Sequence, residues 1–557
     1  MIKPFLGHGF GGRSRWLLAL VTAFGITAPA AAQSFDLLIV NGTVYDGTGS
    51  APQRANVGVK DGKIVAVGAL ATGSARRRID ASGLAVAPGF IDAHTHVAEA
   101  VAKVPGPFLT PQLLTQGVTT MLIGADGGFS PNELRQIIRS LIEKGSGTNY
   151  GCYIGHNGIR TEVLGKAHRT ATRSELNQMR ELVREGMRLG CVGLSAGLMY
   201  DPGMFSGPDE IIALAREVRP FGGIYDAHSR HPVIEFMSAE TETIDIGASA
   251  GIPAKLGHLK AVGLVNEGRS AEIVAAVEAA RKLGREVVAD MYPYDGAATG
   301  LLHEVLMFRE DISRDPTKPP SLLEVQARLR KIAADPAAVA ELKDATENGI
   351  DGGFAWGKAV GYGSMRVIDA PGRSELVGQN LELLARERNV DPFALLVALV
   401  SGGGDMTITV GSMAEKDVQN LMRQPWMMIA SDGFYTGTDS RSDSGGHPRS
   451  TGTFTRVLGR YVRDVGLFSL EEAIRRMTSL PAEHLNMRDR GRIAPGFAAD
   501  IVVFDPEKVA DQSTYKEPNR FSSGIIDVIV NGRLALIGGK LTGEAAGKFV
   551  PRETASR

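Results

Sequence analysis

The chain has 557 residues, and 43% of them are hydrophobic, which excludes an intrinsically disordered protein and allows a large buried core. Its 61 lysines and arginines balance its 62 aspartates and glutamates, so no strong overall field draws it to nucleic acid, anionic membranes or polyanions. We therefore expect a small-molecule partner, bound by one large domain that is accompanied by a smaller one.

The first 32 residues have the pattern of a cleavable secretory signal peptide. Arg13 and Arg15 precede an apolar run over residues 16–28, and small residues follow it as far as Ala32. This run is shorter than the roughly 20 apolar residues that span a bilayer, although an uncleaved anchor is the alternative interpretation. We predict cleavage near Gln33, a secreted or periplasmic protein, and no membrane span in the mature chain.

The sequence contains two cysteines, Cys152 and Cys191. Two cysteines are too few for the disulfide framework of a small secreted protein. They could pair with each other, but each one lies in an apolar run, and a free cysteine in such surroundings behaves as a small hydrophobic residue. We therefore interpret them as two buried thiols.

Short antiparallel strands are predicted at the beginning of the mature chain. A β-rich run over residues 35–40 ends at Asn41-Gly42, a pair typical of a two-residue hairpin turn. A second turn of the same kind is predicted at Asp61-Gly62, before another short strand. This part of the chain therefore resembles one half of an antiparallel β domain.

The end of the chain repeats this pattern. Strand-like runs cover residues 499–504 and 528–530, and another Asn-Gly pair follows the second run. Because both ends have the same character, we predict one small β-sandwich domain built from residues 33–88 and residues 489–557. The C-terminal tail is included in the second part.

Between the two ends, short apolar runs alternate with helical stretches, which predicts βα units and a parallel sheet. The runs cover residues 89–96, 117–124, 149–156, 191–197, 222–229, 252–259, 286–294 and 427–432. Eight such units predict an α/β fold, the closed (β/α)₈ TIM barrel, with its active site at the C-terminal ends of the strands. We assign the barrel to residues 89–488, with an insertion at about 301–360 that would cover this face.

Polar side chains cluster where these runs end. They are Asp92, His94, His96, Asp126, His156, His228, His258 and Asp432. His94 and His96 are two positions apart on one strand, so both point to the same face. Short histidine pairs also occur on solvated loops, but this pair ends a hydrophobic strand, and imidazole is a preferred zinc ligand. The sequence therefore predicts a metal centre at the barrel mouth.

Asp432 is the candidate catalytic carboxylate of this centre. A metal-activated water needs a group that accepts its proton during attack and later returns it, and a carboxylate performs both steps. The alternative is an aspartate that only caps the turn in Ser431-Asp432-Gly433. We predict that Asp432 is the acid/base.

The chain resembles the N-acyl-D-amino-acid deacylase (D-aminoacylase) family of the amidohydrolase superfamily over nearly all of its predicted mature length. The motifs that carry the resemblance are Pro88-Gly89-Phe90-Ile91-Asp92-Ala93-His94-Thr95-His96, Gln116-Gly117-Val118-Thr119-Thr120, Gly193-Leu194-Ser195-Ala196-Gly197-Leu198, Tyr292-Pro293-Tyr294, Ser431-Asp432-Gly433 and His447-Pro448-Arg449. This resemblance implies hydrolysis of the amide bond of N-acyl-D-amino acids with one or two zinc ions. D-stereochemistry is implied by the family alone.

The resemblance also implies roles for individual residues. The implied metal ligands are His94, His96, His228, His258 and Asp432. The implied clamp for the substrate carboxylate consists of Arg449, Lys260 and Tyr292. Arginine suits this role because its planar fork binds a carboxylate through two parallel hydrogen bonds.

Two positions depart from the family pattern. The family usually has a metal-bridging cysteine in a Gly-Asn-Cys-Gly turn, whereas residues 124–127 read Gly-Ala-Asp-Gly. We predict that Asp126 is the ligand in its place, although it could be a plain turn residue, and a carboxylate is a harder donor than a thiolate. Ala298 stands where the family tends to place a serine near the substrate carboxylate. Lys255 could be a carbamylated bridge, but the strand pleat is expected to turn it away.

Two other functions remain open on the sequence. The same barrel and metal cluster suit a hydrolase of a cyclic amide, lactone or dipeptide, and the carboxylate clamp is what favours an acyl amino acid. A secreted binding protein without catalysis is the second alternative. The complete set of four histidines and Asp432 argues against it. The sequence does not predict the acyl group, the amino-acid side chain or the oligomeric state.

Overall fold

The computed structural model describes residues 34–70, 75–165, 167–297, 299–313, 319–351, 353–411, 413–437 and 446–552. The predicted signal peptide at residues 1–32 and the departure at Ala298 lie outside these residues. In the part of the chain that is described, no helix combines the length and the apolar character needed to cross a bilayer.

The strands and helices of the described residues are numbered in chain order. The strands are β1 (Phe35–Val44), β2 (Gln53–Lys60), β3 (Lys63–Gly68), β4 (Ala75–Asp80), β5 (Ala85–Pro88), β6 (Phe90–Asp92), β7 (Val118–Ile123), β8 (Asn149–Gly155), β9 (Gly193–Gly197), β10 (Ile224–His228), β11 (Ala254–Leu256), β12 (Val287–Met291), β13 (Thr299–Leu301), β14 (Val367–Asp369), β15 (Thr407–Thr409), β16 (Met427–Ile429), β17 (Ile501–Phe504), β18 (Ile525–Val530), β19 (Arg533–Ile537) and β20 (Lys540–Leu541). The α-helices are α1 (Pro111–Leu114), α2 (Pro131–Lys144), α3 (His156–Leu164), α4 (Arg173–Leu189), α5 (Pro208–Val218), α6 (Phe236–Ala250), α7 (Ser270–Lys282), α8 (Leu322–Ile332), α9 (Pro336–Asn348), α10 (Trp356–Ala359), α11 (Leu381–Glu387), α12 (Pro392–Gly402), α13 (Glu415–Met422), α14 (Arg449–Arg456), α15 (Leu470–Met477) and α16 (Ser479–His484).

Eight of these strands form the predicted parallel barrel, in the order β6-β7-β8-β9-β10-β11-β12-β16. The first and last strands meet just beyond their C-terminal ends, where Thr95 and Gly433 form a parallel bridge. There the Asp432 N–H donates to the His94 carbonyl at 3.0 Å, and the His96 N–H donates to the Gly433 carbonyl at 2.8 Å. The TIM-barrel prediction is confirmed, and each predicted apolar run contains one of the eight strands.

The barrel strands are apolar runs because both of their faces are covered. All six residues of β7 and all seven residues of β8 are buried. The helices between them carry polar outer faces, and α2 and α4 each begin with a capping box, at Ser130 and Thr172 respectively. These local signals agree with the observed positions of the two helices.

Strands from both chain ends form one second sheet, as predicted, but the sheet is mixed rather than antiparallel, because β1 runs parallel to β4 and β5. Its order is β20-β19-β18-β17-β5-β1-β2-β3, with β4 paired to β1. The two ends join where β17 runs antiparallel to β5, with Ile501 opposite Pro88. The predicted turns at Asp61-Gly62 and Asn531-Gly532 connect β2 to β3 and β18 to β19, with positive φ at both residues of each pair.

The predicted hairpin turn at Asn41-Gly42 is wrong. Strand β1 continues to Val44, and its pairing register with β2 shifts between Ile39 and Gly42, as in a β-bulge. Asn41 has φ 63°, and its N–H donates to the side chain of Asn56 on β2 at 3.1 Å. A Cβ atom on Gly42 would lie 2.5 Å from Val86, so glycine here allows a close strand approach rather than a chain reversal.

The segment between β12 and β16 has a core of its own. Strands β13, β15 and β14 form a small antiparallel sheet, and helices α8 to α12 surround it. The buried apolar residues of this unit run from Leu302 to Val410. The sequence analysis places an insertion at about 301–360, whereas this core extends further because α11, α12 and β15 bury their apolar residues in it.

Cys152 and Cys191 form a disulfide, with their Cα atoms 4.6 Å apart. The prediction of two buried thiols is therefore wrong in its chemistry, although both residues are fully buried. The pairing follows from the barrel topology, because the Val192 N–H donates to the Cys152 carbonyl at 2.7 Å and brings the start of β9 beside β8. Disulfides persist in oxidising compartments.

Candidate metal centre and active site

The six metal ligands predicted from the sequence converge at the C-terminal mouth of the barrel. One ligand atom from each of four residues, His94, Asp126, His258 and Asp432, lies within 4.8 Å of the other three. His96 and His228 complete the ring around these atoms. The six residues lie at or just after the ends of β6, β7, β10, β11 and β16. Because these strand ends meet at the barrel mouth, residues distant in sequence come together.

The Asp126 carboxylate occupies the centre of the histidines. Its Oδ1 atom lies 3.2 Å from His94 Nε2. Its Oδ2 atom lies 3.5 Å from His96 Nε2, 3.4 Å from His228 Nδ1 and 3.3 Å from His258 Nε2. This single side chain contacts all four imidazoles, which is the arrangement that a bridging ligand requires.

Asp432 lies on the other side of the histidine pair, between the candidate metal ligands and the predicted carboxylate clamp. Its Oδ1 atom is 3.1 Å from His96 Nε2 and 3.7 Å from His94 Nε2. Its Oδ2 atom accepts an ion pair from Arg449 Nη1 at 2.8 Å. One oxygen of Asp432 therefore faces the candidate metal centre while the other is held by Arg449.

Among the described residues, two buried atoms that face each other in this cluster have no hydrogen-bond partner. They are Nε2 of His94 and Oδ1 of Asp126, which lie 3.2 Å apart. Buried polar atoms are nearly always hydrogen-bonded in folded proteins, so a group of them without partners points to a bound cation. Imidazole nitrogens together with carboxylate oxygens form a donor set that suits zinc. The residues present therefore fit a metal centre.

The electrostatics of the cluster place charges where a hydrolytic site needs them. Burial alone would raise the pKa of Asp432, but the positive charge of Arg449 and a hydrogen bond with His96 outweigh burial and hold this pKa well below its usual value. Burial, with Lys260 adding to it, lowers the pKa of His258 to about 3. Asp432 is therefore ionised and able to accept a proton, and His258 is neutral.

The pKa of His94 is instead raised to about 10, because Asp126 and Asp290 outweigh burial. The carboxylates thus favour a positive charge beside them, which a metal ion would supply.

Three of the candidate ligands have strained backbones. Asp126, His258 and Asp432 have φ values of 54°, 36° and 49°, in the left-handed region that non-glycine residues rarely adopt. Such conformations cost roughly 1–3 kcal/mol each and persist where the surroundings fix them, often at functional sites. Each of these residues follows a barrel strand, and its side chain lies in the cluster at the barrel mouth.

The three residues of the predicted carboxylate clamp lie together around one aromatic ring. The Arg449 guanidinium lies 4.8 Å from the centre of the Tyr292 ring, and Lys260 Nζ lies 5.5 Å from it. Lys260 Nζ also donates to the His258 carbonyl at 2.7 Å, and burial lowers its pKa to about 8. Two cations converge beside the metal ligands, as binding of a carboxylate at this point requires.

A cavity of about 570 Å³ connects these groups, which is within the size range of small-molecule sites. One wall consists of the metal-ligand cluster and the clamp. The outer wall is largely apolar and is lined by Met199, Pro232, Val233, Val262, Leu301, Val305, Trp356, Val410 and Phe434. Part of this outer wall comes from the unit between β12 and β16, which therefore covers the barrel mouth.

Sequence reasoning missed the polar residues directly below the ligands. Asp226 precedes His228 by two positions on β10. Asp290 lies on β12 and precedes Tyr292, the first residue after this strand, by two positions. The strand period of two places each pair on one face, and this signal could have found them. Lys255 does not enter the ligand cluster, because its Nζ forms ion pairs with Asp226 and Asp290.

Known proteins share this fold and this sequence pattern. Residues 278–535 match the profile described as Amidohydrolase family. The chain is 32% identical to a D-aminoacylase of Alcaligenes xylosoxydans xylosoxydans, covering 94% of this chain and 99% of the relative. It is 29% identical to an N-acyl-D-glutamate deacylase of the same organism, covering 90% and 93%.

Two solved structures extend the comparison. An N-acyl-D-glutamate deacylase from Bordetella bronchiseptica, complexed with zinc and a phosphonate mimic of the tetrahedral intermediate, is 28% identical with a TM-score of 0.73. A D-aminoacylase studied for its binuclear metal centre is 31% identical with a TM-score of 0.72. Both alignments cover 93% of this chain and 100% of the solved chain. The chain described here belongs to the D-aminoacylase family of amidohydrolases.

Proposed function

We propose that this protein is a zinc-dependent deacylase that hydrolyses N-acyl-D-amino acids to a carboxylate and a free D-amino acid. The observation that carries the proposal is the position of Asp432, with one oxygen facing the candidate metal ligands and the other 2.8 Å from Arg449 of the clamp. This geometry joins a hydrolytic centre to a carboxylate-binding site. The named activities of the relatives, D-aminoacylase and N-acyl-D-glutamate deacylase, agree with it.

The metal would be held by the six residues around Asp126, and the cluster has ligands for one or two ions. These residues are His94, His96, Asp126, His228, His258 and Asp432. A divalent metal bound there would supply Lewis acidity toward an amide carbonyl and toward the attacking water. Asp126 takes the central place among the histidines, where the family usually has a cysteine.

Asp432 moves the proton. It accepts a proton from the attacking water as the new carbon–oxygen bond forms, and it returns that proton to the amide nitrogen as the carbon–nitrogen bond breaks. The same carboxylate performs both steps because it is ionised before attack and protonated after it. The products are the carboxylate of the acyl group and the amino acid with a free amine.

Arg449, Lys260 and Tyr292 hold the substrate. The two cations bind its free α-carboxylate, and the buried Tyr292 ring under both of them keeps their side chains in place. A fixed carboxylate places the amide bond at one distance from Asp432, and this lowers the entropic cost of reaction. This clamp favours a linear acyl amino acid over a cyclic amide, a lactone or a neutral amide.

We also propose that the protein works in the periplasm or outside the cell. The charged and apolar pattern of residues 1–32 and the Cys152–Cys191 disulfide both support an oxidising compartment. We further propose that the mature chain consists of a barrel over residues 89–488 and a β domain made of residues 33–88 and 489–557.

The proposed function is tested by removing and restoring the metal. The purified protein is stripped with a chelator and assayed on matched N-acetyl-D-leucine and N-acetyl-L-leucine before and after zinc is added. Bound metal is counted by elemental analysis at each step. We expect cleavage of the D-substrate to be lost with the metal and restored with one or two zinc ions per chain. Zinc-loaded protein that cleaves neither substrate would refute the proposed function.

The cavity predicts a preference for apolar over acidic amino-acid side chains. Among the described residues, the cations that line it are Lys260 and Arg449, which form the clamp, and the rest of the lining offers apolar groups and the carboxylates of Glu99 and Glu304. A second carboxylate on the substrate would find no further cation among the described lining residues, and like charges in such a setting cost several kcal/mol. We expect kcat/KM for N-acetyl-D-leucine to exceed that for N-acetyl-D-glutamate by about 100-fold or more.

The variant Glu304→Gln isolates the charge in this preference. It is expected to raise kcat/KM for N-acetyl-D-glutamate and to leave the value for N-acetyl-D-leucine unchanged, because only the acidic substrate is repelled by Glu304. Equal rates on the two substrates in the unaltered protein would contradict the interpretation of the outer wall.

A further inference from the structure

We propose that three buried charged residues below the metal centre, Asp226, Lys255 and Asp290, position the metal ligands. We refer to these three residues as the charged layer. The inference rests on the metal centre of the proposed function and assigns a role to residues that do not themselves belong to it. They are positioning residues, because they act on the reaction through the ligands.

The charged layer lies in the interior of the barrel. Its residues stand on the adjacent strands β10, β11 and β12, and Asp226 and Lys255 are direct partners in the sheet register. All three are fully buried. Lys255 Nζ lies 2.8 Å from Asp226 Oδ1 and also forms an ion pair with Asp290 Oδ2. The two carboxylates and the ammonium group therefore form one continuous cluster.

Charges at this place are unexpected for the fold. A TIM-barrel interior is filled mainly by branched apolar side chains. Removing an ion from water costs several kcal/mol even after pairing, and a buried ion pair often stabilises a protein no more than an apolar replacement does. Stability alone therefore does not account for the charged layer, and its contacts show what else it does.

Asp290 contacts two metal-ligand residues. Its Oδ1 atom accepts the backbone N–H of His258 at 2.5 Å, and its Oδ2 atom lies 3.7 Å from Nδ1 of His94. His258 has the strained φ of 36°, so a fixed acceptor for its N–H helps to hold that conformation. Because Asp290 faces Nδ1 of His94, the other ring nitrogen, Nε2, is the one directed at Asp126 and Asp432.

Asp226 extends the network to a third ligand segment. Its Oδ2 atom accepts the Ser195 hydroxyl at 2.8 Å, and the Ser195 oxygen in turn accepts the N–H of Gly127 at 3.2 Å. Gly127 directly follows Asp126, whose φ is 54°. A chain of polar contacts thus runs from the Asp126 turn through Ser195 and the charged layer to the segments of His258 and His94.

The physical consequence is control of ligand geometry. Carboxylates behind metal-bound histidines fix the ring orientation and the tautomer, and their loss typically costs 10–100-fold in metal affinity. Lys255 holds Asp290 and Asp226 between strands, so the three ligand segments are set by one shared ion-pair cluster. We expect the charged layer to determine zinc affinity without contacting the substrate.

The variant Asp290→Asn tests this role. It keeps the size of the side chain and removes its charge, so we expect zinc affinity to fall about 10- to 100-fold, measured by competition with a chromophoric chelator on folded protein. The visible absorption spectrum of the cobalt-substituted protein should also change, because the ligand orientation changes. Neither readout depends on turnover.

A milder variant and a matched control complete the test. Ser195→Ala breaks the link between Gly127 and Asp226 without removing a charge, so it should fold and lose zinc affinity a few-fold. Glu210→Gln removes another buried carboxylate, which pairs with Arg160 and His156. The control should lower the Tm and leave zinc affinity unchanged.

The outcomes separate this inference from the proposed function. If Asp290→Asn and Ser195→Ala bind zinc with the affinity of the unaltered protein and lower only the Tm, as Glu210→Gln does, the charged layer is structural and the inference is overturned. If zinc affinity falls in both variants while the unaltered protein cleaves no N-acyl-D-amino acid, the proposed function fails and the inference stands.

Discussion

Replacement of Asp432 with Asn is expected to lower kcat about 100- to 10,000-fold, which is the usual contribution of a positioned acid/base. The amide keeps the shape of the side chain but cannot accept the proton of the attacking water. Arg449 holds the pKa of Asp432 well below its usual value despite burial, so the group that is lost is an ionised base at neutral pH. The measurement is kcat for N-acetyl-D-leucine together with the zinc content of the purified variant.

The control for this variant is Asp417→Asn. Asp417 is also buried, and its carboxylate accepts the backbone N–H groups of Gly268 and Ser270, away from the cavity. We expect Asp417→Asn to cost stability and to leave kcat unchanged. A zinc-loaded Asp432→Asn variant with a kcat near that of the unaltered protein would remove Asp432 from the mechanism.

The second large effect is expected at Arg449. Arg449→Ala should lower kcat/KM for N-acyl-D-amino acids about 100-fold or more, mainly through a higher KM, because truncating one partner of a buried charge pair costs roughly 2–5 kcal/mol. The kcat/KM of Arg449→Lys should lie between the values of the unaltered protein and of Arg449→Ala, since an ammonium group keeps the charge but loses the planar two-point contact. Steady-state kinetics on N-acetyl-D-leucine measure both effects.

An amide without a carboxylate separates the two contacts of Arg449. Arg449 also lies 2.8 Å from Asp432, so its removal could act on the base as well as on the substrate. The decarboxylated analogue of the same substrate should lose much less in Arg449→Ala, because it has no carboxylate to bind. An equal loss on both compounds would show that Arg449 acts through Asp432 and that the clamp assignment is wrong.

The barrel could be predicted because its strands are buried on both faces. Such strands are uninterrupted apolar runs, as in β7, and eight of them separated by helical stretches leave few other topologies. The candidate ligands could be predicted from the sequence for a related reason. Strand ends are the places where apolar runs stop, so His94, His96, His228 and His258 stood out there as polar residues.

Other features depend on contacts between distant segments. The disulfide depends on the start of β9 lying beside β8, and no spacing between Cys152 and Cys191 reveals it. The bulge at Asn41 has the same Asn-Gly dipeptide as a hairpin turn. The two structures differ in the residues that lie opposite this dipeptide in the sheet. Helix α12 extends the inserted core, but it is apolar nearly all round and shows little of the periodicity by which a helix is recognised.

The bridge between Thr95 and Gly433 has a consequence for how the protein acquires its activity. His94 and His96 flank Thr95 in one of the two bridged segments, and Asp432 precedes Gly433 in the other. Contacts between segments so far apart in sequence form slowly, because a long loop must close first. The proton acceptor therefore joins the imidazoles only when the last barrel strand docks. A nascent or proteolysed chain that ends before β16 would hold every other ligand and remain inert.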